Sequence, residues 1–272
     1  MSHFLGITRE PEFSPGKVDA DRAILELTAE QLRTRGHTVQ VCNAADETWP
    51  EPAGGTVVFT MAQGARALQR LRQWETRGVR IVNRPGGILN CQRHRTVAAF
   101  AATDLAFPET VLLPTAGAPP LPTWIAVAGA WIKRGDVHAT DPADVVYVTD
   151  AAAAGAALHR FHARGIAAAV VQRHMAGTVL KFYGVRDGFF HCVPPASGAA
   201  LPAEVLHGID ALGRRAADLL EVEIYGGDCV VDVNGELTLI DLNDWPSYAP
   251  CRAHAAGAIA AYVLAQKVAT KP

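Results

Sequence analysis

Gly226-Gly227-Asp228-Cys229-Val230-Val231-Asp232-Val233-Asn234-Gly235-Glu236-Leu237-Thr238-Leu239-Ile240-Asp241-Leu242-Asn243 reads as two apolar strands joined by a tight turn. Asn234-Gly235 is the strongest short-range signal for a two-residue type I′ turn, because both central positions need φ > 0. With Val233 opposite Glu236, Asp228 falls directly across from Asp241, and Gly226 across from Asn243. Side chains alternate along a strand, so Asp228, Asp241 and Asn243 share one face.

Opposed residues of an antiparallel pair have Cβ atoms about 4.5–5.5 Å apart, where like charges repel. A hard divalent cation offsets that repulsion, and magnesium is typically held by one or two carboxylates plus the phosphates of a substrate. A magnesium–nucleotide site therefore gives the acid pair a purpose. The residues alone leave open a solvated hairpin end. Asp232 shows what that looks like: it shares the face but sits beside the turn, roughly 13 Å along the strand from Asp228.

Composition narrows the setting. The 272 residues are 49% hydrophobic and 19% charged, enough for a full core in two or three lobes. With 25 Lys plus Arg against 27 Asp plus Glu, the net charge of −2 gives no bulk attraction to nucleic acid or to an anionic membrane. Any anion site must be local. No basic leader with a following apolar stretch opens the sequence, and no run approaches about 18 uninterrupted apolar residues, so a cytoplasmic protein is expected. The odd set Cys42, Cys91, Cys192, Cys229 and Cys251 shows no metal spacing and reads as reduced thiols. Cys251 precedes His254 at a spacing that any helix produces. The Walker A loop, Gly-x-Gly-x-x-Gly, His-Glu-x-x-His and Gly-x-Ser-x-Gly are all missing.

The first hundred residues alternate strand and helix. Phe4 to Thr8, Thr38 to Cys42, Thr56 to Met61 and Val79 to Val82 are apolar, and helical patterns fill Asp19 to Arg35 and Gly64 to Arg77. That βαβ order implies a parallel sheet, with Asp19 near the N-cap of the first helix and Gly36 at its C′ position. Ligands of open α/β sheets lie beyond the carboxyl ends of strands. Those ends carry Arg9, Ser14, Lys17, Thr60, Gln63, Asn83 and Arg84, and the cations among them suggest an anionic substrate group. A helix from Gln92 to Thr103 precedes Phe107-Pro108, and Pro114 to Pro122 reads as a linker, so a lobe boundary falls near 108. A small α+β unit follows, with Trp131-Ile132-Lys133, Val145 to Thr149, an Ala-rich helix from 151 to 164 and the strand Ala167 to Val171. The last lobe runs from Gln172 through strands at 179–185 and 188–193, a helix at 203–220, the acidic hairpin and a final apolar helix.

The hairpin and its exit, Ile240-Asp241-Leu242-Asn243-Asp244-Trp245-Pro246-Ser247-Tyr248, resemble the C-terminal signature of the ATP-grasp superfamily. Val82-Asn83-Arg84-Pro85 followed by Arg93, Leu105 to Thr110, Trp131-Ile132-Lys133, Val170-Val171-Gln172 and Val179 to Tyr183 occur in the order that superfamily uses. The style is closest to glutamate ligases that modify ribosomal proteins and to inositol trisphosphate kinases. The resemblance implies a mixed α/β and α+β fold. An N-terminal parallel-sheet domain would span 1–107, a lid lobe 108–172, and a C-terminal lobe with the metal site 173–272.

It also implies roles. ATP would lie between two antiparallel sheets. Lys133 is similar to the lysine that meets phosphates and adenine, Gln172 lies at the segment facing the adenine amino group, and Arg93 stands where many relatives carry a phosphate-binding lysine. Lys181 resembles the basic residue that contacts the transferred phosphoryl group. Asp228, Asp241 and Asn243 resemble the magnesium ligands, with manganese as the alternative ion. Two departures stand out. The loop Arg134-Gly135-Asp136-Val137-His138-Ala139 is not glycine-rich, so Arg134 or His138 is a candidate substitute, and Trp245-Pro246-Ser247-Tyr248 replaces the usual Pro-Gly turn.

The expected activity is carboxylate–amine ligation through an acyl phosphate, on small-molecule or peptide acids and amines. Arg9, Lys17, Arg84 and Arg252 are candidates for holding the acid or acyl phosphate, with Lys181 and Arg252 nearest the chemistry. A small-molecule kinase that phosphorylates a hydroxyl is the alternative, and a nucleotide-binding module without turnover is a third reading. The sequence leaves the oligomeric state open, a homo-oligomer included.

Overall fold

In the computed structural model, which describes residues 2–136 and 141–269, the chain builds three four-stranded sheets. The first contains β1 (His3–Ile7), β2 (Thr38–Cys42), β3 (Val57–Thr60) and β4 (Arg80–Val82), all parallel, in the order β2-β1-β3-β4. Inner strands β1 and β3 are nearly continuous apolar runs because helices cover both faces. On one face α2 (Ala65–Thr76) buries Leu68, Leu71 and Trp74 against Leu5, Ile7 and Val58. On the other, α1 (Val18–Thr34) buries Ile24, Leu25, Ala29 and Leu32, each worth about 1.5–3 kcal/mol for the larger aliphatic side chains. Lys17 is the N-cap of α1 and Asp19 lies in its first turn, while Gly36 takes φ +82° just past the end.

Two helices, α3 (Pro85–Asn90) and α4 (Arg93–Ala101), lead out of the first sheet. The second sheet holds β5 (Thr110–Pro114), β6 (Ala130–Arg134), β7 (Val145–Val148) and β8 (Ala168–Arg173), antiparallel in the order β5-β8-β6-β7. A short α5 (Ile125–Ala128) precedes β6, and α6 (Ala151–Ala163) lays Ala154, Ala157, Leu158 and Phe161 on Ile132, Val148, Ala169 and Val171. No strand is expected at β5 from the sequence. Its proline falls at the last position of an edge strand, where no ladder donor is lost, and half-exposed Leu112 breaks the expected alternation.

The third sheet is β9 (Thr178–Val185), β10 (Phe189–Cys192), β11 (Ile224–Val231) and β12 (Leu237–Asp244), in the order β10-β9-β11-β12. One face receives α7 (Ala203–Leu220) together with Cys91, Phe100 and Leu105 from the α3–α4 segment. The other face shares a core with the first sheet: Tyr183, Val185 and Ile224 pack with Phe4, Phe59 and Val82, closed by Ala255, Ile259 and Val263 of α8 (Arg252–Ala265). Asn83 pins this junction with a buried amide that receives the backbone N–H groups of Glu223 and Ile224 at 2.9 and 2.8 Å and donates to the Ile224 carbonyl at 2.7 Å. Among the described residues no helix is long and apolar enough to cross a membrane.

The hairpin departs from expectation in two ways that cancel. Its turn has three residues between Asp232 and Glu236, not two. Asp232 Oδ1 accepts the N–H groups of Asn234 and Glu236, each at 2.8 Å, and Gly235 alone takes a left-handed conformation at φ +81°. This is the turn with a trailing left-handed residue that three-residue hairpins favour. Val231 accordingly pairs with Leu237, one position off the expected register. A bulge at Ile240, between Asp241 and Leu239 on β12, absorbs the offset, so Asp228 faces Asp241 and Gly226 faces Asn243 as expected.

Candidate active site at the junction of two cavities

The acid pair spans the third sheet's inner strand β11 and its edge strand β12. On the far side of β11, β9 places Lys181 beside Asp228, and its Nζ lies 2.9 Å from Asp228 Oδ1. Asn243 Nδ2 lies 3.4 Å from Asp241 Oδ2. Burial raises the Asp228 pKa above the ordinary aspartate value, and the Asp241 charge adds to this while Lys181 opposes it. Lys181 is itself raised, since burial pulls its pKa down but the attraction of Asp228 outweighs that. Two facing carboxylates with an amide beside them suit a hard divalent cation that takes its remaining oxygens from phosphates. Among the described residues no three His, Cys, Asp or Glu side chains converge on one point, so this donor set needs the amide and a ligand's oxygens to complete it.

Between the second and third sheets is a cavity of about 310 Å³, lined by Trp131, Lys133, Gln172, Met175, Val179 and Ile240 among others. Lys133 Nζ donates to Gln172 Oε1 at 2.7 Å and reaches the Ile240 carbonyl at 3.4 Å, to which Gln172 Nε2 also donates at 3.2 Å. The Ile240 carbonyl belongs to the bulged residue. Burial lowers the Lys133 pKa, and Asp241 only partly offsets it. Arg93 is buried at the start of α4 and donates to the Arg134 carbonyl at 3.3 Å, while His94 Nδ1 lies 2.9 Å from the Gly135 carbonyl. Arg134 points elsewhere, to Asp136 and Asp144, and His138 lies outside the described residues.

A second cavity of about 330 Å³ opens between the first sheet's carboxyl ends and the third sheet. Arg9, Ser14, Lys17, Gln63, Asn243 and Ser247 are among its lining residues. Asp228, Asp241 and Arg93 line both cavities. Lys17 is exposed there and forms no ion pair among the described residues. Arg9 is otherwise engaged: Nε donates to the Met61 carbonyl at 3.1 Å, Nη1 to Asp21 at 3.2 Å, and Nη2 to the carbonyls of Asp244 and Trp245 at 3.3 and 2.9 Å.

The other proposed substrate cations are not brought together with these. Arg84 pairs with Glu75 at 2.6 Å in a separate cleft with Arg80 and Glu223. Arg252 begins α8 and donates to the Ser247 carbonyl at 3.4 Å, one residue removed from the cavity wall. Cys251 is buried, and burial raises its thiol to about 11, the reverse of a reactive thiolate. Sequence reasoning missed Glu10, whose carboxylate accepts the Gln63 and Gly64 N–H groups, each at 3.0 Å, at the start of α2. It also missed Asp244, which receives Gln63 Nε2 at 2.8 Å. A charged residue shortly beyond the first strand was the only signal available for Glu10, whereas Gln63, which contacts both, was marked by its place at a strand end.

No family model matches the sequence, and no curated protein matches it significantly. Solved structures do match. A RimK domain ATP-grasp protein from Sphaerobacter thermophilus DSM 20745 superposes with TM-score 0.68 at 20% identity, covering 96% of this chain and 99% of that one. The ATP-grasp ligase PsnB, solved with a minimal precursor, gives 0.67 at 15% identity over 97% and 99%. The D-alanine–D-alanine ligase from Bacillus anthracis, solved with ATP, gives 0.69 at 11% identity over 98% and 96%. Superposition over essentially whole chains makes this the ATP-grasp fold.

Proposed function

We propose that the chain is an ATP- and magnesium-dependent carboxylate–amine ligase that works through an acyl phosphate. The observation that carries this reading is the position of Asp228, Asp241 and Arg93 on the wall common to two cavities. A reaction that moves a phosphoryl group from a nucleotide in one cavity to an acid in the other needs its charge-bearing groups there.

In this reading the apolar wall of Trp131, Met175 and Val179 takes the base, while Lys133 and Gln172 exchange their contact with the Ile240 carbonyl for contacts to the nucleotide. Asp228, Asp241 and Asn243 would hold magnesium, which would supply charge neutralisation at the phosphates. A carboxylate oxygen attacks the γ-phosphorus and ADP leaves. Lys181 and Arg93 stabilise charge on the transferred group. A neutral amine then attacks the acyl carbon, phosphate leaves, and the nitrogen loses its proton. Lys17 is the cation best placed to hold the incoming acid. The substrates are small-molecule or peptide acids and amines, consistent with the precursor bound to PsnB. Cytoplasm is the proposed compartment, since ATP is available there and the five cysteines are all unpaired.

The test incubates the protein with magnesium ATP and a cell extract of metabolites and small peptides, with Asp241→Asn as control, and follows products by mass spectrometry. Two components joined with loss of water, alongside ADP, are expected. A stably phosphorylated component would mean a kinase instead, and no ATP consumption with any fraction would overturn the reading.

A further inference from the structure

Arg9 stands on the loop after β1, yet four of its contacts run to other parts of the chain. Its guanidinium takes the carbonyls of Asp244 and Trp245 on one nitrogen and Asp21 on another, while Nε holds the end of β3 at Met61. Its side chain is 9% exposed, and Asp21 and Asp244, at 5% and 0%, supply the countercharges at 3.2 and 3.7 Å. Asp21 is held in turn by Ser14 Oγ at 2.7 Å. Gln63, from the end of β3, donates to Asp244 Oδ1 at 2.8 Å and its own N–H is fixed by Glu10. Two side chains of the first domain thus grip the residue that follows Asn243.

That segment needs a grip. Trp245 has φ +26° and Tyr248 φ +50°, conformations that L residues rarely adopt and that persist only where the surroundings enforce them. The far end is held by the Tyr248 hydroxyl, within 2.7 and 2.9 Å of the Gly184 and Tyr225 carbonyls. The near end, next to Asn243, is held from the first domain by the side chains of Arg9 and Gln63. A planar fork can donate to two successive carbonyls and a carboxylate at once; an ammonium at the same place cannot.

We propose that Arg9 and Gln63 are positioning residues for the metal site, fixing Asn243 through Asp244 and Trp245, so that cation binding on the third sheet depends on the first domain being docked against it. This rests on the ligase reading only for the identity of the ion and nucleotide. Outer-shell partners of metal ligands typically change metal affinity by about 10- to 100-fold when removed.

The experiment measures Mn2+ binding by electron paramagnetic resonance in the presence of ATP, and ATP binding in chelator by tryptophan fluorescence. Arg9→Lys and Arg9→Met are expected to weaken Mn2+ by about 10-fold or more while metal-free ATP affinity stays within about twofold. Gln63→Met, which leaves the buried charges paired, is expected to weaken Mn2+ by severalfold and serves if the Arg9 variants do not fold. Wild-type Mn2+ affinity in Gln63→Met and in any folded Arg9 variant, or full rescue by Arg9→Lys, would overturn the proposal and leave the ligase reading standing. Wild-type protein that binds ATP no more tightly with Mn2+ than without it would overturn both.

Discussion

Lys133 on the second sheet reaches the backbone carbonyl of Ile240 on the third, 3.4 Å away, and that carbonyl is presented by the β-bulge that also restores the hairpin register. One inserted residue therefore does two things. It returns Asp241 to its place opposite Asp228, and it offers the neighbouring sheet an acceptor that a regular ladder would have consumed.

Lys133→Met tests the nucleotide side of this contact. Loss of a charge-assisted contact of about 1.5–3 kcal/mol weakens ATP by roughly 10- to 100-fold, measurable by calorimetry. The pH dependence has a definite sign. Burial sets the folded pKa below the unfolded one, so the unfolded state binds more protons between them and stability rises with pH in that window. Lys133→Met should abolish that rise in alkaline melting curves. ATP binding, which favours the charged lysine, should take up protons, seen as buffer-dependent heats.

Asp241→Asn addresses the acid pair. Removing one carboxylate relieves the charge that helps hold the Asp228 pKa high, a cost that in the wild type fades only as pH falls through that raised pKa. The variant should therefore melt no lower than wild type at neutral pH, while magnesium-dependent turnover falls by several kcal/mol in the barrier, roughly 100-fold or more. Unchanged turnover would remove Asp241 from the site.

Lys181→Met should separate binding from chemistry. ATP affinity is expected within about threefold of wild type and kcat lower by roughly 10²- to 10³-fold, the usual cost of one stabilising donor. In the wild type the Lys181–Asp228 pair contributes stability that is fully present below the ordinary lysine pKa and is lost as pH rises through the raised one. A loss confined to KM would show that Lys181 only binds.

Two glycines in the hairpin predict different outcomes. A Cβ on Gly227 would meet the Asp241 carbonyl at 2.5 Å, so Gly227→Ala should destabilise by about 1–3 kcal/mol and also weaken metal binding. A Cβ on Gly235 meets nothing, but its φ of +81° costs about 1–2 kcal/mol for alanine. Gly235→Ala should lower the melting temperature without touching metal affinity. Equal effects on both readouts would contradict the turn and bulge described.

Much of the fold was legible because it rests on periodicity. The β1 to β4 alternation and α7 follow from apolar spacing alone. The acid pair was legible for a less secure reason: an Asn-Gly turn one residue longer than expected and a bulge at Ile240 shift the strands in opposite senses. β5 was hidden because an edge strand with a proline lacks the alternation of a half-buried one. The surroundings of the cationic loops were the least legible. Arg9 meets Asp244, Trp245 and Asp21, and Arg84 meets Glu75, pairings set by three-dimensional approach that local sequence does not encode. Lys17 forms no ion pair among the described residues and lines the second cavity.

The core shared by Phe4, Ile24 and Leu25 with Ile259 and Val263 has a consequence for biosynthesis. A nascent chain emerging at about 5–20 residues per second leaves the side of α1 that packs on α8 uncovered for on the order of ten to fifty seconds before α8 arrives. Chaperone capture of truncated nascent chains should accordingly persist until α8 clears the ribosome, and fall sharply once it has.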